Sequence, residues 1–192
     1  MGQKSRAARE RSPESEAFAE GIGPEADADP VDVAKQIVLS QISVSAKSRH
    51  QLSQVLARRS VPADAAEEAL DRFTELGYID DAAFARAWVE SRQRSRGLAA
   101  PALRRELRDK GIAPDLVDEV LLACVDSDAE RIAASQLVDK KLRAMGSGRP
   151  VDRDTATRRL VGMLARKGYN SSVAYSVVRE RLDSAELRDG AS

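Results

Sequence analysis

A chain of 192 residues holds one or two ordinary domains, or an array of small repeats, and is long enough to bury a sizeable core either way. Its 31 Lys and Arg balance 31 Asp and Glu, which excludes a generic cationic coat for nucleic acid or membranes. A single Cys124 and a single His50 supply neither a disulfide framework nor an ordinary zinc site. No run approaches the roughly 20 apolar residues of a membrane span, and the N-terminus carries Lys4, Arg6, Arg9 and Arg11 without the apolar stretch of a secretory signal. A soluble, cytoplasmic protein is expected.

In chain order, residues 1–30 are rich in Gly, Pro, Ser, Ala and Glu, and beyond Met1 their only large apolar side chains are Phe18 and Ile22. Such a segment cannot bury enough to offset its ordering entropy and is predicted to be a disordered tail. From Val31 onward apolar residues recur at helical spacing while period-two alternation is scarce, so the body is predicted to be all-α. One stretch, Ile37-Val38-Leu39 through Ile42 and Val44, has strand-like propensity.

An internal repeat settles that stretch as helix. A shift of 51 places Val33, Ala34, Ile37 and Val38 on Phe84, Ala85, Trp88 and Val89, Leu52 and Leu56 on Leu103 and Leu107, and Phe73 on Cys124. A further shift of 57 carries Leu103, Leu107, Gly111 and Val120 onto Leu160, Leu164, Gly168 and Val177. The first helix of this third copy aligns at a shift near 48, the nine-residue difference falling at Gly146-Ser147-Gly148-Arg149-Pro150 and its neighbours. Each copy resolves into three helices, in the second copy 81–96, 100–110 and 114–124. Asp80 is the predicted N-cap, Gly111 the left-handed stop, Lys110 the dipole partner and Pro114 the opening of the third helix. Gly168 repeats the stop, and Ser60 replaces it in the first copy as a weaker cap. The predicted organisation is a tail at 1–30, three-helix units at 31–79, 80–125 and 126–187, and a C-terminal tail at 188–192. Because fifty residues build little core alone, the units are expected to stack and share apolar faces in an elongated, curved array.

Enzyme signatures are weak. Gly21-Ile22-Gly23-Pro24-Glu25-Ala26 fits the letters of a dinucleotide fingerprint but follows no strand, and 145–149 lacks the Lys and Ser or Thr of a phosphate loop. Asp80-Asp81 reads as helix capping, Cys124 as a packed thiol, His50 as a surface residue, Trp88 as core, and Asn170 as the cap of the final helix. No catalytic residue, metal site or cofactor is assigned. Charge is more informative, since residues 86–110 hold eight cations against three acids, residues 140–169 nine against two, and residues 111–139 one against seven. Two basic ridges follow, one with Arg92, Arg94, Arg96, Arg104, Arg105, Arg108 and Lys110, the other with Lys140, Lys141, Arg143, Arg158, Arg159, Arg166 and Lys167. The two groups at 92–96 and 104–108 are expected to reach one surface. The alternative is a set of solvated faces with ordinary ion pairs.

The string Leu76-Gly77-Tyr78-Ile79-Asp80-Asp81, then Phe84-Ala85, Trp88-Val89, Arg92, Gly97, Leu103, Glu106-Leu107 and Lys110-Gly111-Ile112, resembles the central motif of the RecX family of bacterial recombination regulators. Three tandem three-helix repeats also match that family, so the resemblance spans about residues 31–187. The missing Gly stop in the first copy and the Gly-rich insertion in the third depart from it. The resemblance implies a monomeric RecA-binding protein that lodges in the groove of the RecA filament on single-stranded DNA. There it would block growth and dampen ATP hydrolysis, strand exchange and coprotease activity, with weak direct DNA binding in some members. The basic ridges are the candidate contact surface for acidic RecA groups or for DNA. Two other classes stay open: a helix-turn-helix DNA-binding regulator built on Leu52–Leu76, and a helical scaffold for other partners. Against the former, its reading helix carries Glu67, Glu68, Asp71 and Glu75, and the equivalent helix in the second copy carries Asp115, Asp118 and Glu119.

Overall fold

The computed structural model describes residues 29–146 and 152–189. The tail at 1–30 lies outside them except for its last two residues, and most of the Gly-rich insertion lies outside as well. Among the described residues the regular structure is helical throughout: α1 (Pro30–Val44), α2 (Arg49–Arg58), α3 (Ala63–Glu75), α4 (Asp81–Arg96), α5 (Ala100–Asp109), α6 (Pro114–Cys124), α7 (Ser127–Gly146), α8 (Arg153–Arg166) and α9 (Ser171–Asp189). The last helix runs two residues into the predicted C-terminal tail. Short polar side chains start several helices, Asp80 and Asn170 as the sequence predicts and Asp29 and Asp152 in addition. The carboxylates of Asp29, Asp80 and Asp152 accept from the backbone N–H of Val31 (2.9 Å), Ala83 (2.8 Å) and Thr155 (3.0 Å), and Asn170 accepts from Val173 (2.9 Å). Ile37 and Val38 are buried in α1, so burial on a helical stripe overrides their strand propensity.

Each unit closes its own core. Ala34, Ile37, Val38, Leu52, Leu56, Leu70 and Phe73 pack in the first, Phe84, Val89, Leu103, Leu107, Val117 and Leu121 in the second, and Val138, Leu160, Leu164, Val177 and Leu182 in the third. This corrects the expectation of shared apolar faces. Three amphipathic helices meeting as a triangle already bury their stripes, and among the described residues only Ala99 of the second unit enters a neighbouring core. Burial also corrects the register of the third copy. Ala85 and Val89 correspond to Ala134 and Val138, all at 0% exposure, a shift of 49 that leaves eight inserted residues instead of nine.

What joins the units is narrow, polar and repeated. At the first junction the Ser48 hydroxyl, at the start of α2, donates to the Lys110 carbonyl at the end of α5 (2.6 Å), and the Arg49 N–H donates to the Asp81 carboxylate (2.8 Å). At the second junction the Ala99 N–H, at the start of α5, donates to the Lys167 carbonyl at the end of α8 (3.0 Å), and the Ala100 N–H donates to Glu130 (2.6 Å). Every partner in the second set is the repeat equivalent of one in the first. The second helices therefore stack end to end, each C-terminus on the N-terminus of the preceding unit's, and an acid opening the following unit satisfies an otherwise orphaned N–H.

This stacking explains two glycines. Gly111 and Gly168 have φ of +75° and +93°, the left-handed stop the sequence predicts. They also touch the next helix in the column: a Cβ on Gly111 would lie 2.2–2.4 Å from His50 atoms, and one on Gly168 would lie 2.7 Å from the Ala102 Cβ and backbone nitrogen. Ser60 takes the same conformation, φ +59°, but among the described residues no unit stacks on the end of α2, and Ser60 is exposed, so a side chain is tolerated there.

Candidate partner-binding surface

The predicted basic ridges are only partly available to a partner. On the seam between α4 and α5 the Glu106 carboxylate accepts from Trp88 Nε1 and from Arg92 Nε, both at 2.9 Å, and Arg96 lies 3.7 Å away. Trp88 stacks on Phe84 (centroids 5.8 Å apart), with the Arg92 guanidinium 4.0 Å and the Lys110 ammonium 4.7 Å from its ring centre. Trp88 is thus half-buried scaffolding, packed on one side and holding two cations on the other, and not fully core as the repeat alignment suggests. Arg104 turns the other way along α5 and pairs with Asp118 of α6 (2.6 Å). Arg104 therefore does not share a surface with Arg92 and Arg96. Residues one apart on a helix differ by about 100° in direction, and Glu106 and Asp118 each claim the cations facing them.

Arg105 and Arg108 remain, exposed on the side of α5 away from Leu103 and Leu107, without an acidic partner among the described residues. Arg94 makes only a long contact with Glu90 (3.9 Å). In the third unit Lys140 and Lys141 of α7 and Arg159 and Arg166 of α8 are exposed and likewise lack acidic partners among the described residues, while Arg158 Nε donates to the Asp154 carbonyl (3.4 Å). Arg143 is exposed near the end of α7. Lys167 belongs to the second junction: its ammonium donates to the Arg96 carbonyl, and burial, followed by the charges of Arg96 and Lys140, holds its pKa below the ordinary lysine value. Arg58 and Arg59, absent from the predicted ridges, are also exposed without acidic partners among the described residues. The signal that could have found them is the repeat itself, since they occupy the register of Asp109-Lys110 and Arg166-Lys167.

The remaining singled-out residues have structural work. Arg49 ties α2 to α3 through Glu67 (2.5 Å) and Asp71 (2.8 Å). Burial opposes its charge, but these two carboxylates hold its pKa above the ordinary value. That arrangement leaves α3, the would-be reading helix, with an acidic face. Asp81 caps the neighbouring unit's α2 instead of its own helix. His50 is exposed as expected, beside Gly111. Cys124 is half-buried on a cleft of about 250 Å³ between the second and third units, with Gln93, Asp126 and Tyr169 among its walls. The Tyr169 hydroxyl donates to the Gly97 carbonyl (3.2 Å), and burial, with Glu130 nearby, pushes its pKa up to about 12. Among the described residues there is no group of three or more His, Cys, Asp or Glu placed to hold a metal ion, and no helix long and apolar enough to cross a membrane.

Tandem three-helix units, coupled by a repeated polar junction and displaying unpaired arginines and lysines, define a helical-repeat protein. Residues 34–73 match the family model "RecX, first three-helix domain", and residues 80–121 match "RecX, second three-helix domain". The chain is 49% identical over 155 residues to "Regulatory protein RecX" of Streptomyces coelicolor, covering 81% of this chain and 80% of that one. It is 45% identical over 156 residues to the protein of the same name in Mycolicibacterium smegmatis, covering 81% and 82%. The chain belongs to the RecX family of regulatory proteins. Its fold matches the crystal structure of RecX from Lactobacillus salivarius with a TM-score of 0.69 at 16% identity, covering 79% of this chain and 96% of that one. A second RecX crystal structure matches with a TM-score of 0.68 at 22% identity, covering 79% and 72%.

Proposed function

We propose that this chain is a negative regulator of the RecA recombinase in the cytoplasm. It binds the RecA filament on single-stranded DNA as a monomer and, without catalysis or cofactor, inhibits filament growth, ATP hydrolysis, strand exchange and coprotease activity. The observation that carries this reading is the 49% identity over 155 residues to a protein named as a RecX regulator. The repeated junction supports it, because a column of coupled units presents separated contact points at fixed spacing, which suits a repeating partner. The contact surface in this reading consists of the ridge cations that no internal carboxylate claims, chiefly Arg105, Arg108, Arg159 and Arg166, with Lys140 and Lys141.

The test is the DNA-dependent ATPase of purified RecA. Added chain lowers the rate while hydrolysing no nucleotide itself, and Arg105→Glu with Arg108→Glu weakens the inhibition without loss of helix, since both lie opposite the Leu103 and Leu107 face. Rising salt weakens it too, as the Debye length shortens. Undiminished ATPase in the presence of the unaltered chain refutes the reading.

A further inference from the structure

Units two and three carry the same seam with different charge. In unit two Glu106 collects Trp88, Arg92 and Arg96. α5 and α8 correspond at a shift of 57, fixed by Leu103 with Leu160, Leu107 with Leu164 and the junction carbonyls of Lys110 and Lys167, so the residue in the place of Glu106 is Met163. α4 and α7 correspond at a shift of 49, fixed by Ala85 with Ala134, Val89 with Val138 and the junction acids Asp81 and Glu130, so Arg92 becomes Lys141 and Trp88 becomes Leu137. Unit three thus keeps the cation and loses its carboxylate. Lys140 adds a second positive charge beside Lys167, and no carboxylate among the described residues lies within ion-pair distance of Lys140, Lys141 or Lys167.

We propose that the seam between α7 and α8, where Lys141 stands in the register of Arg92 and Met163 in that of Glu106, with Lys140 alongside, docks a carboxylate side chain from an acidic segment of a protein partner, in the place that Glu106 fills within unit two. The chain carries its own template for the ligand, since the group that satisfies this seam in unit two is a glutamate. The floor also favours a peptide over a phosphodiester: Leu137 and Met163 are partly buried apolar side chains that the methylenes of a glutamate and its neighbours cover, whereas a sugar-phosphate backbone gains nothing from them. The proposal deepens the RecA reading, on which it rests only for the identity of the partner.

The experiment is fluorescence anisotropy with the full chain and two labelled probes, a short Glu/Leu peptide and single-stranded poly-dT. The peptide binds, and Met163→Glu, which supplies the internal carboxylate, weakens that binding by about tenfold or more, as loss of a charge-assisted contact requires. Met163→Gln, of similar size and uncharged, leaves it within about twofold of the parent, because no internal charge competes. Glu106→Met opens the equivalent seam of unit two and raises the peptide stoichiometry from one to two. Should Met163→Glu fail to fold, Lys140→Gln with Lys141→Gln carries the same expectation of weakened binding. Peptide binding indifferent to Met163→Glu, or to the double lysine change in its place, overturns the proposal. So does binding of poly-dT in preference to the peptide, or an unchanged stoichiometry in Glu106→Met. Full inhibition of the RecA ATPase by Met163→Glu removes the site and leaves the RecA reading. No inhibition by the unaltered chain, together with Met163-sensitive peptide binding, removes the RecA reading and leaves the site.

Discussion

Replacing Gly168 by Ala separates what a left-handed helix stop costs from what the unit junction costs. A non-glycine residue in the left-handed region loses roughly 1–2 kcal/mol, and at φ +93° Gly168 incurs that in full. The added Cβ would also lie 2.7 Å from the Ala102 Cβ and backbone nitrogen and 3.2 Å from its Cα. None of these atoms can rotate away, so the column must open locally, at an overpacking cost of about 1–3 kcal/mol. Together these predict a loss of about 2–5 kcal/mol. Gly111→Ala falls in the same range, since the His50 Cβ lies 2.3 Å from its added carbon. Gly77→Ala is the control: its φ is +75° but nothing lies within 4 Å of the new Cβ, so backbone strain alone applies, about 1–2 kcal/mol. Ser60→Gly exchanges strain for chain entropy and stays within about 1 kcal/mol of the parent. Urea unfolding followed by far-UV circular dichroism reads all four. The junction variants also lower the apparent cooperativity, because units with separate cores then unfold separately. Equal destabilisation by Gly77→Ala and Gly168→Ala would refute the reasoning, for it would mean that the close contact at Ala102 contributes nothing.

Leu107→Ala, at a fully buried site of the second unit, costs about 2–5 kcal/mol; native-state hydrogen exchange should show amides of α4–α6 losing protection while those of α1–α3 and α9 keep most of theirs. Asp80→Ala removes the cap of α4 and costs about 1 kcal/mol in thermal or urea unfolding. Tyr169 is pushed up to about 12, above the free phenol value near 10, so its stabilising share is complete below pH 10 and disappears as pH rises towards 12. Measured across that window, the parent therefore loses roughly 2–3 kcal/mol more than Tyr169→Phe does.

The sequence pattern carries the helices and their order because periodicity and capping are local. Asp80, Gly111, Pro114 and the Leu103–Leu107 stripe mark starts, stops and faces within a few residues of where they act. The segment at Ile37–Val44 shows where local signals fall short, since the repeat and not propensity identifies it as helix. The junctions were legible only in part. The equivalence of Gly111 and Gly168 is visible in the chain, but Ser48 meets Lys110 across 62 residues and Ala100 meets Glu130 across 30, and no periodicity reports such partners. The same limit governs the basic ridges. A count of charges cannot tell that Glu106 gathers Arg92 and Arg96 while Arg104 faces Asp118, because which acid claims which cation depends on helix facing across a seam.

The stacked column also bears on where a further unit could join. A unit added before the first would have to receive Ser60 against its own second helix, and the Cβ of Ser60 would stand where both internal junctions tolerate none. A unit added after the last would meet α8, which begins four residues earlier in register than α5 does and carries Arg159 where α5 carries Ala102 and α2 carries Gln51. The first end is closed to a junction of the same kind, and the last is reshaped. Insertion between existing units keeps both surfaces matched, since a newcomer whose second helix ends on a glycine meets the same pattern of carbonyl, N–H and acid on either side.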